Sequence, residues 1–99
     1  MPSAYDFVSL KKDTDGKHKW VATIHNKATG REKRVRFGAV GYQDMTQHKD
    51  EDRKRLYIAR HAKNENWNDI STSGAWSRWL LWNKKTLTAS LADLKRKFF

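Results

Sequence analysis

The 99-residue sequence contains no cysteine, so neither a disulfide framework nor a thiolate zinc site is possible. Its one proline, Pro2, precedes every element predicted below. No segment approaches the roughly 20 consecutive apolar residues that a membrane-spanning helix needs. Residues 1–10 lack the basic start and the apolar run of a secretory signal. We therefore expect a protein that neither spans a membrane nor is secreted, and the length predicts a single domain over residues 1–99.

Motifs that carry catalysis are also missing. No two of the four histidines are four residues apart and no HExxH motif is present, so no metal site is predicted. Gly38 and Gly41 follow a predicted strand but lack the spacing of a phosphate-binding loop. A small chain with low apolar content has little material to enclose a deep substrate pocket. We expect no enzymatic activity, no metal or other cofactor, and no small-molecule substrate.

Acidic residues are few: 11 Asp and Glu stand against 21 Lys and Arg, and the formal net charge is +10. Such a charge attracts nucleic acids, acidic membranes and acidic protein surfaces. The densest basic run places four cations in six residues, namely Arg31, Lys33, Arg34 and Arg36. Arg34 and Arg36 would project from one strand face about 7 Å apart, which is close to the phosphate spacing along a DNA strand. The run is either a solvated sheet face or a contact surface for nucleic acid or an acidic protein.

Alternation of apolar and polar residues predicts three strands, over about residues 5–11, 19–25 and 31–37. Short turns that end in glycine separate them, so we expect an antiparallel meander over about residues 5–37. One face of this sheet would be basic, with Arg34 and Arg36 pointing outward. The other face would be apolar and would carry Trp20, Ala22, Ile24, Val35 and Phe37.

Three helices are predicted after the sheet, over about residues 49–62, 73–82 and 87–98. The last one has an apolar stripe at helical spacing, formed by Leu87, Leu91, Leu94 and Phe98. Its opposite face holds a second basic group, Lys95, Arg96 and Lys97. The expected architecture is α+β, a three-stranded antiparallel sheet followed by three helices packed on its apolar face.

Tryptophan is concentrated in the middle helix. Trp76, Trp79 and Trp82 fall within seven residues and are interleaved with Leu80 and Leu81. As a helix, this segment is apolar nearly all round, so it is either wrapped by the protein or presented to a partner. Both interpretations stay open, because Trp is well buried in cores and is also enriched among residues that carry binding energy.

A local resemblance covers residues 19–43. The strand Trp20–Ile24, a turn at Gly30 and a basic strand that runs into Phe37 and Gly38 resemble the three-stranded sheet of plant AP2-type DNA-binding domains. That family lays its sheet in the major groove of DNA and contacts it through Arg and Trp side chains. The resemblance implies a DNA-binding role for the sheet.

A second resemblance runs from about Lys19 to Phe98. Its most specific part is the run Trp76-Ser-Arg-Trp-Leu-Leu-Trp-Asn-Lys84, which resembles a small family encoded by large double-stranded DNA viruses of algae and protists. The supporting matches are Gly41-Tyr42, His48 to Glu51, Arg55 to His61 and Thr86-Leu87. This resemblance implies a viral product made in infected eukaryotic cells, and it transfers no catalytic residue.

Together these observations predict a small basic virion component, such as a minor capsid or internal virion protein. It would bind neighbouring viral structural proteins through its basic sheet face and its tryptophan-rich surface. The alternative is a protein that binds phosphates of double-stranded DNA with the basic run, assisted by Lys95, Arg96 and Lys97. An enzyme subunit or an inhibitor of a host factor is also compatible with the sequence. The expected locations are the virion and the cytoplasm or nucleus of the infected cell.

Overall fold

The computed structural model of the protein describes residues 4–99, so Pro2 lies outside the described residues. Its first three elements are strands: β1 (Tyr5–Lys12), β2 (His18–Asn26) and β3 (Glu32–Ala39). The strands pair antiparallel in the order β1-β2-β3, which confirms the predicted meander.

The pairing register sorts the side chains onto two faces, because directly opposed residues point to the same side of a sheet. On one face Ala22 opposes Val35, and both side chains are buried in the core. Arg34 and Arg36 alternate with Val35 along β3, project from the other face and are exposed. The sheet therefore has the apolar face and the cation-bearing face that the alternation predicts.

The helical part completes an α+β fold, as predicted. It consists of α1 (Met45–His48), α2 (Glu51–His61), α3 (Ser73–Trp76), a π-helical segment (Ser77–Leu81) and α4 (Leu87–Phe98). In the described part of the chain, no helix combines the length and the apolar character that a membrane span requires.

The short helix α1 adds a fourth helix to the three that were predicted, and the helix expected at about residue 49 begins at Glu51 instead. The cause is a local cap: the Asp44 carboxylate accepts from the N–H of Thr46, and the Gln47 side chain accepts from the N–H of Asp44. Lys49 then adopts a left-handed conformation with φ of 58° and ends α1.

The π-helical segment continues α3 without a break. The Trp82 N–H donates to the carbonyl of Ser77, five residues back, at 3.1 Å, which is the hydrogen bond of a π-helix. Upstream, Thr72 caps α3 by accepting from the N–H of Ala75 at 3.2 Å. The wider π turn leaves both Leu80 and Leu81 buried.

Trp76 lies at the centre of the core and is fully buried. Its indole N–H donates to the Ile70 carbonyl at 2.7 Å, so burial leaves this donor satisfied. Its ring stacks on Phe37 of the sheet with 5.6 Å between centroids. Leu94 of α4 belongs to the same buried cluster, so α4 packs on the apolar side of the sheet together with α3.

The helix α2 is attached differently, because none of its residues is buried. Its main anchor is Tyr57, whose ring lies parallel to that of Trp82 with 4.4 Å between centroids and 3° between planes. On the same helix His61 stacks on Tyr57 at 4.4 Å. This aromatic contact holds α2 beside the π-helical segment and leaves a space between α2 and the end of the sheet.

Candidate functional site

The face of the sheet that points away from the core helices is called the outer face here. It carries Ser9, Lys11, Val21, Thr23, Arg34 and Arg36, which surround a shallow depression of about 180 Å³. Lys11 and Arg34 are both exposed, and neither pairs with an acid among residues 4–99. These two side chains are the cations that the outer face offers to a partner without breaking an internal contact.

Arg36 differs from Arg34, because the protein's own acids already engage it. Its guanidinium lies 2.6 Å from Asp13 and 3.6 Å from Asp15, and 45% of the Arg36 side chain is exposed. Asp15 also accepts from the ring of His18 at 2.8 Å, and this hydrogen bond is the main cause that holds the pKa of Asp15 well below its usual range. Sequence reasoning missed the pairing, because Asp13 and Arg36 are 23 residues apart.

The same acids form the one group of potential metal ligands found among residues 4–99. Oxygen and nitrogen atoms of Asp13, Asp15 and His18 lie within 4.8 Å of one another. The Arg36 guanidinium already supplies positive charge to both carboxylates. A cation at this point would have to compete with Arg36, so the cluster acts as an ion-pair network at the edge of the outer face.

The other predicted basic residues do not lie on the outer face. Lys33 opposes Ile24, which is buried on the apolar side, so Lys33 points to that side. Arg31 lies in the turn before β3. The four cations of the run are therefore split between the two faces and the turn, because consecutive strand residues alternate.

The basic group on α4 lies on the helical side of the sheet. Lys95 places its ammonium 4.5 Å from the ring centre of Phe7, and Lys97 places its own 4.5 Å from that of Trp79. Arg96 pairs with Asp93 at 3.2 Å, three residues earlier on the same helix. The sheet separates these three cations from Arg34 and Arg36, so α4 adds no cation to the outer face.

The three tryptophans of the middle helix have different surroundings. Trp76 is core, whereas Trp79 and Trp82 are half-buried and pack against the core. The Trp79 indole N–H donates to the Trp67 carbonyl at 2.7 Å, and the Arg78 guanidinium lies 4.3 Å from the centre of the Trp79 ring. Trp76 is therefore structural, and Trp79 and Trp82 combine packing against the core with partial exposure.

A groove of about 520 Å³ opens where β2 begins and β3 ends. One wall is the end of the sheet, with Lys17, His18, Lys19 and the residues 36–39. The facing wall is mainly helical, with Glu65 in the loop between α2 and α3, and it carries Tyr57, His61, Glu65, Ser73, Gly74, Ser77, Leu81 and Trp82. Tyr42, Gln43 and Asp44 complete the lining. The sequence predicted little room for a pocket, and the groove exists because α2 stands away from the sheet.

Several polar side chains on the helical wall of the groove have no hydrogen-bond partner among the described residues. Among residues 4–99, five of its side chains make no hydrogen bond to another residue, namely Tyr57, His61, Glu65, Ser73 and Ser77. Burial, reinforced by the Glu65 carboxylate, raises the pKa of Tyr57 to about 12. The phenol is therefore protonated at neutral pH and can donate a hydrogen bond into the groove.

Most charged side chains on the sheet wall already pair with other residues of the protein. Lys19 donates to Asp44 at 2.7 Å and also to the Tyr42 carbonyl, so it clamps the loop that follows β3. Lys17 is different, since it is exposed and its ammonium pairs with no acid among the described residues. The groove thus has a free carboxylate, Glu65, on one wall and a free cation, Lys17, on the other.

Residues 8–61, more than half of the chain, match the family described as "Family of unknown function (DUF5754)", and the chain belongs to this family. The matched range runs from within β1 to the last residue of α2, so it includes the outer face and part of the groove. The run Trp76 to Lys84 lies outside it. No curated protein and no solved structure matches the chain. The viral and AP2-type resemblances therefore stay predictions.

Proposed function

We propose that the protein is a non-enzymatic virion component of a large DNA virus, a minor capsid or internal virion protein, that binds an acidic neighbouring protein through the outer face. The observation that carries this proposal is an uncovered cationic surface. Lys11 and Arg34 are exposed there without an acid partner in the described chain, and the core helices all pack on the opposite side. The resemblance of the run Trp76 to Lys84 supports the viral origin.

The composition of the outer face favours a protein as the partner. Val21 and Thr23 lie between the cations there, and Arg is enriched at protein interfaces, whose surface mixes apolar and polar area. Carboxylates of the partner would meet Arg34 and Lys11 directly, and complementary charge of this kind sets the docking orientation. The protein would then act by gripping its neighbour, without a chemical step.

Double-stranded DNA is a second candidate, because Lys11, Arg34 and Arg36 lie on one sheet face. DNA-binding surfaces are far more cationic than other interfaces, however. Here the Asp13 carboxylate holds Arg36 at 2.6 Å and would itself repel a phosphate. With Arg36 engaged, the outer face offers two unpaired cations among the described residues, Lys11 and Arg34, which is few for a duplex, so DNA is the second candidate.

Charge reversal at the two unpaired cations tests both candidates. We would compare Lys11→Glu combined with Arg34→Glu against Lys84→Glu combined with Lys85→Glu. All four residues are exposed, and both variants change the net charge equally. Arg36 is kept, because an acid at that position would face Asp13 and Asp15 and destabilise the turn. The measurements are the amount of each variant in purified virus particles and its affinity for duplex DNA as a function of salt.

The protein-partner proposal predicts that only the Lys11/Arg34 variant is lost from particles, while the two double variants, which have equal net charge, bind the duplex with the same salt dependence. The DNA alternative predicts binding by the wild type with a log–log slope of about −0.9 per phosphate contact, reduced in the Lys11/Arg34 variant. If both double variants enter particles and bind DNA as the wild type does, the outer face has no role in either function.

A further inference from the structure

The groove contains an acid, Glu65, that no other residue among 4–99 engages through a hydrogen bond or an ion pair. Glu65 lies against Gly74 so closely that a methyl group at Gly74 would be only 2.6 Å from the carboxyl carbon of Glu65. The residue is half-buried, and its carboxylate has neither a hydrogen bond nor an ion pair among residues 4–99. Because buried polar groups are normally hydrogen-bonded, the carboxylate of Glu65 can accept hydrogen bonds from the donor groups of a ligand.

The groups next to Glu65 define what kind of donor fits. Tyr57 keeps its phenolic proton, and Ser73 and Ser77 each offer a hydroxyl that no other described residue engages. Three aromatic residues also line the groove, and the rings of His61 and Trp82 each stack on that of Tyr57 with 4.4 Å between centroids. A planar ligand with donors on one edge and an acceptor beside them matches this wall.

We propose that the groove binds one guanine nucleotide, with the Glu65 carboxylate accepting from N1–H and from the N2 amino group of the base. Guanine is the common base that presents two adjacent donors on its Watson–Crick edge, and two carboxylate oxygens accept them side by side. Adenine and cytosine present a donor next to an acceptor, which would face the carboxylate unfavourably. A hydroxyl of the same wall donates to O6, which lies next to N1.

The opposite wall supplies the charge that a nucleotide phosphate needs. Lys17 is exposed at the sheet end of the groove and pairs with no described acid. The net charge of +10 also draws an anionic ligand toward the protein. The same charge opposes a cationic peptide, which is the other class of ligand that a free carboxylate attracts. The volume of about 520 Å³ is within the usual range for a site of this kind.

The test is a titration of the folded protein, monitored by calorimetry, with GMP, AMP, CMP and UMP in turn. We expect GMP to bind at least tenfold more tightly than the other three, the discrimination that a paired hydrogen-bond contact provides. Glu65→Gln should remove this preference by weakening GMP about tenfold or more while leaving AMP unchanged. Glu51→Gln is the matched control, because this carboxylate is exposed at the start of α2 and does not line the groove.

A second arm distinguishes a free nucleotide from a nucleotide within a strand. Single-stranded thymidine pentanucleotides with one central guanine or one central adenine are titrated in the same way. A larger preference for the guanine over the adenine pentamer than for GMP over AMP would identify an unpaired strand as the source, because the two pentamers carry equal charge. A preference for guanine found only among the mononucleotides would identify a free nucleotide. Equal affinity for all four mononucleotides, an unchanged GMP affinity in Glu65→Gln, or binding of an arginine-containing peptide in place of GMP would overturn the proposal. None of these outcomes bears on the outer face, since Lys11 and Arg34 do not line the groove.

Discussion

The substitution Gly74→Ala separates stability from ligand binding at the groove. Gly74 lies in the first turn of α3, and its φ is not in the left-handed region, so alanine fits the backbone there. Alanine favours a helix over glycine by up to about 1 kcal/mol. The added methyl would overlap the Glu65 carboxylate. Glu65 has no hydrogen bond or ion pair to lose in the described chain, so its flexible side chain can rotate toward solvent at small cost.

We therefore expect Gly74→Ala to leave the free energy of unfolding unchanged or to raise it by up to about 1 kcal/mol, equivalent to an increase in Tm of about 4–8 °C. The same variant should lose GMP affinity as Glu65→Gln does, because the carboxylate is displaced. The assay is thermal unfolding and GMP calorimetry on one preparation. In a Glu65→Gln background, Gly74→Ala should cause little further loss of GMP affinity, since both changes remove one contact.

Two results would refute this reasoning. A loss of more than about 1 kcal/mol of stability in Gly74→Ala would mean that Glu65 cannot leave its position, contrary to its lack of internal partners. Wild-type GMP affinity in a stable Gly74→Ala protein would mean that the position of the carboxylate does not matter for binding. Either result can be obtained without knowing the biological partner.

Three further predictions concern the fold. Trp76→Ala should lower the free energy of unfolding measured in urea by about 3–5 kcal/mol. The loss should be larger than for Trp79→Ala, because the Trp76 indole is fully buried and the Trp79 indole only half-buried. A larger loss in Trp79→Ala would contradict the assigned core. The hydrogen bond that Asn83 donates to Asp93 is the main cause that lowers the pKa of Asp93. Ionised Asp93 therefore stabilises the fold above the unfolded pKa of about 3.9, and this contribution is lost as the pH falls through the folded pKa. In Asp93→Asn the free energy of unfolding should therefore fall less steeply at acid pH than in the wild type. Curves of unfolding free energy against pH that run parallel for the two proteins would refute this prediction. Gly38→Ala, at φ 79°, should destabilise by about 1–3 kcal/mol, and an unchanged urea midpoint would exclude strain there.

The sheet and the last helix were predictable because their patterns are local and regular. Period-two alternation in β2 and β3 identified the apolar face that now buries Ala22 and Val35. The helical stripe in α4 identified Leu94 as core in the same way. The helix α1 was missed, because four residues carry no periodicity and its start depends on one capping aspartate, Asp44.

The candidate sites were less predictable, because they depend on contacts between distant segments. The sequence identified the exposed Arg34, but the pairing of Arg36 with Asp13 is set by the turn between β1 and β2. The groove was missed entirely, since residues around 17, 37, 57 and 74 meet only after folding. One local signal was present, namely the glycine at position 74 in the first turn of a helix. Because glycine weakens a helix, its presence there indicates that another group packs closely against the backbone.

The five-residue hydrogen bond from Trp82 to Ser77 gives the middle helix one more residue per turn than a regular α-helix has. A chain with one residue deleted between these positions could wind as an ordinary α-helix, because the π turn holds its extra residue within a single turn. The residues after the deletion would then keep nearly the same orientation, and the stacking of Trp82 on Tyr57 at 4.4 Å, which anchors α2, would survive. The groove would thus tolerate a shorter segment here, provided that Trp82 itself is kept.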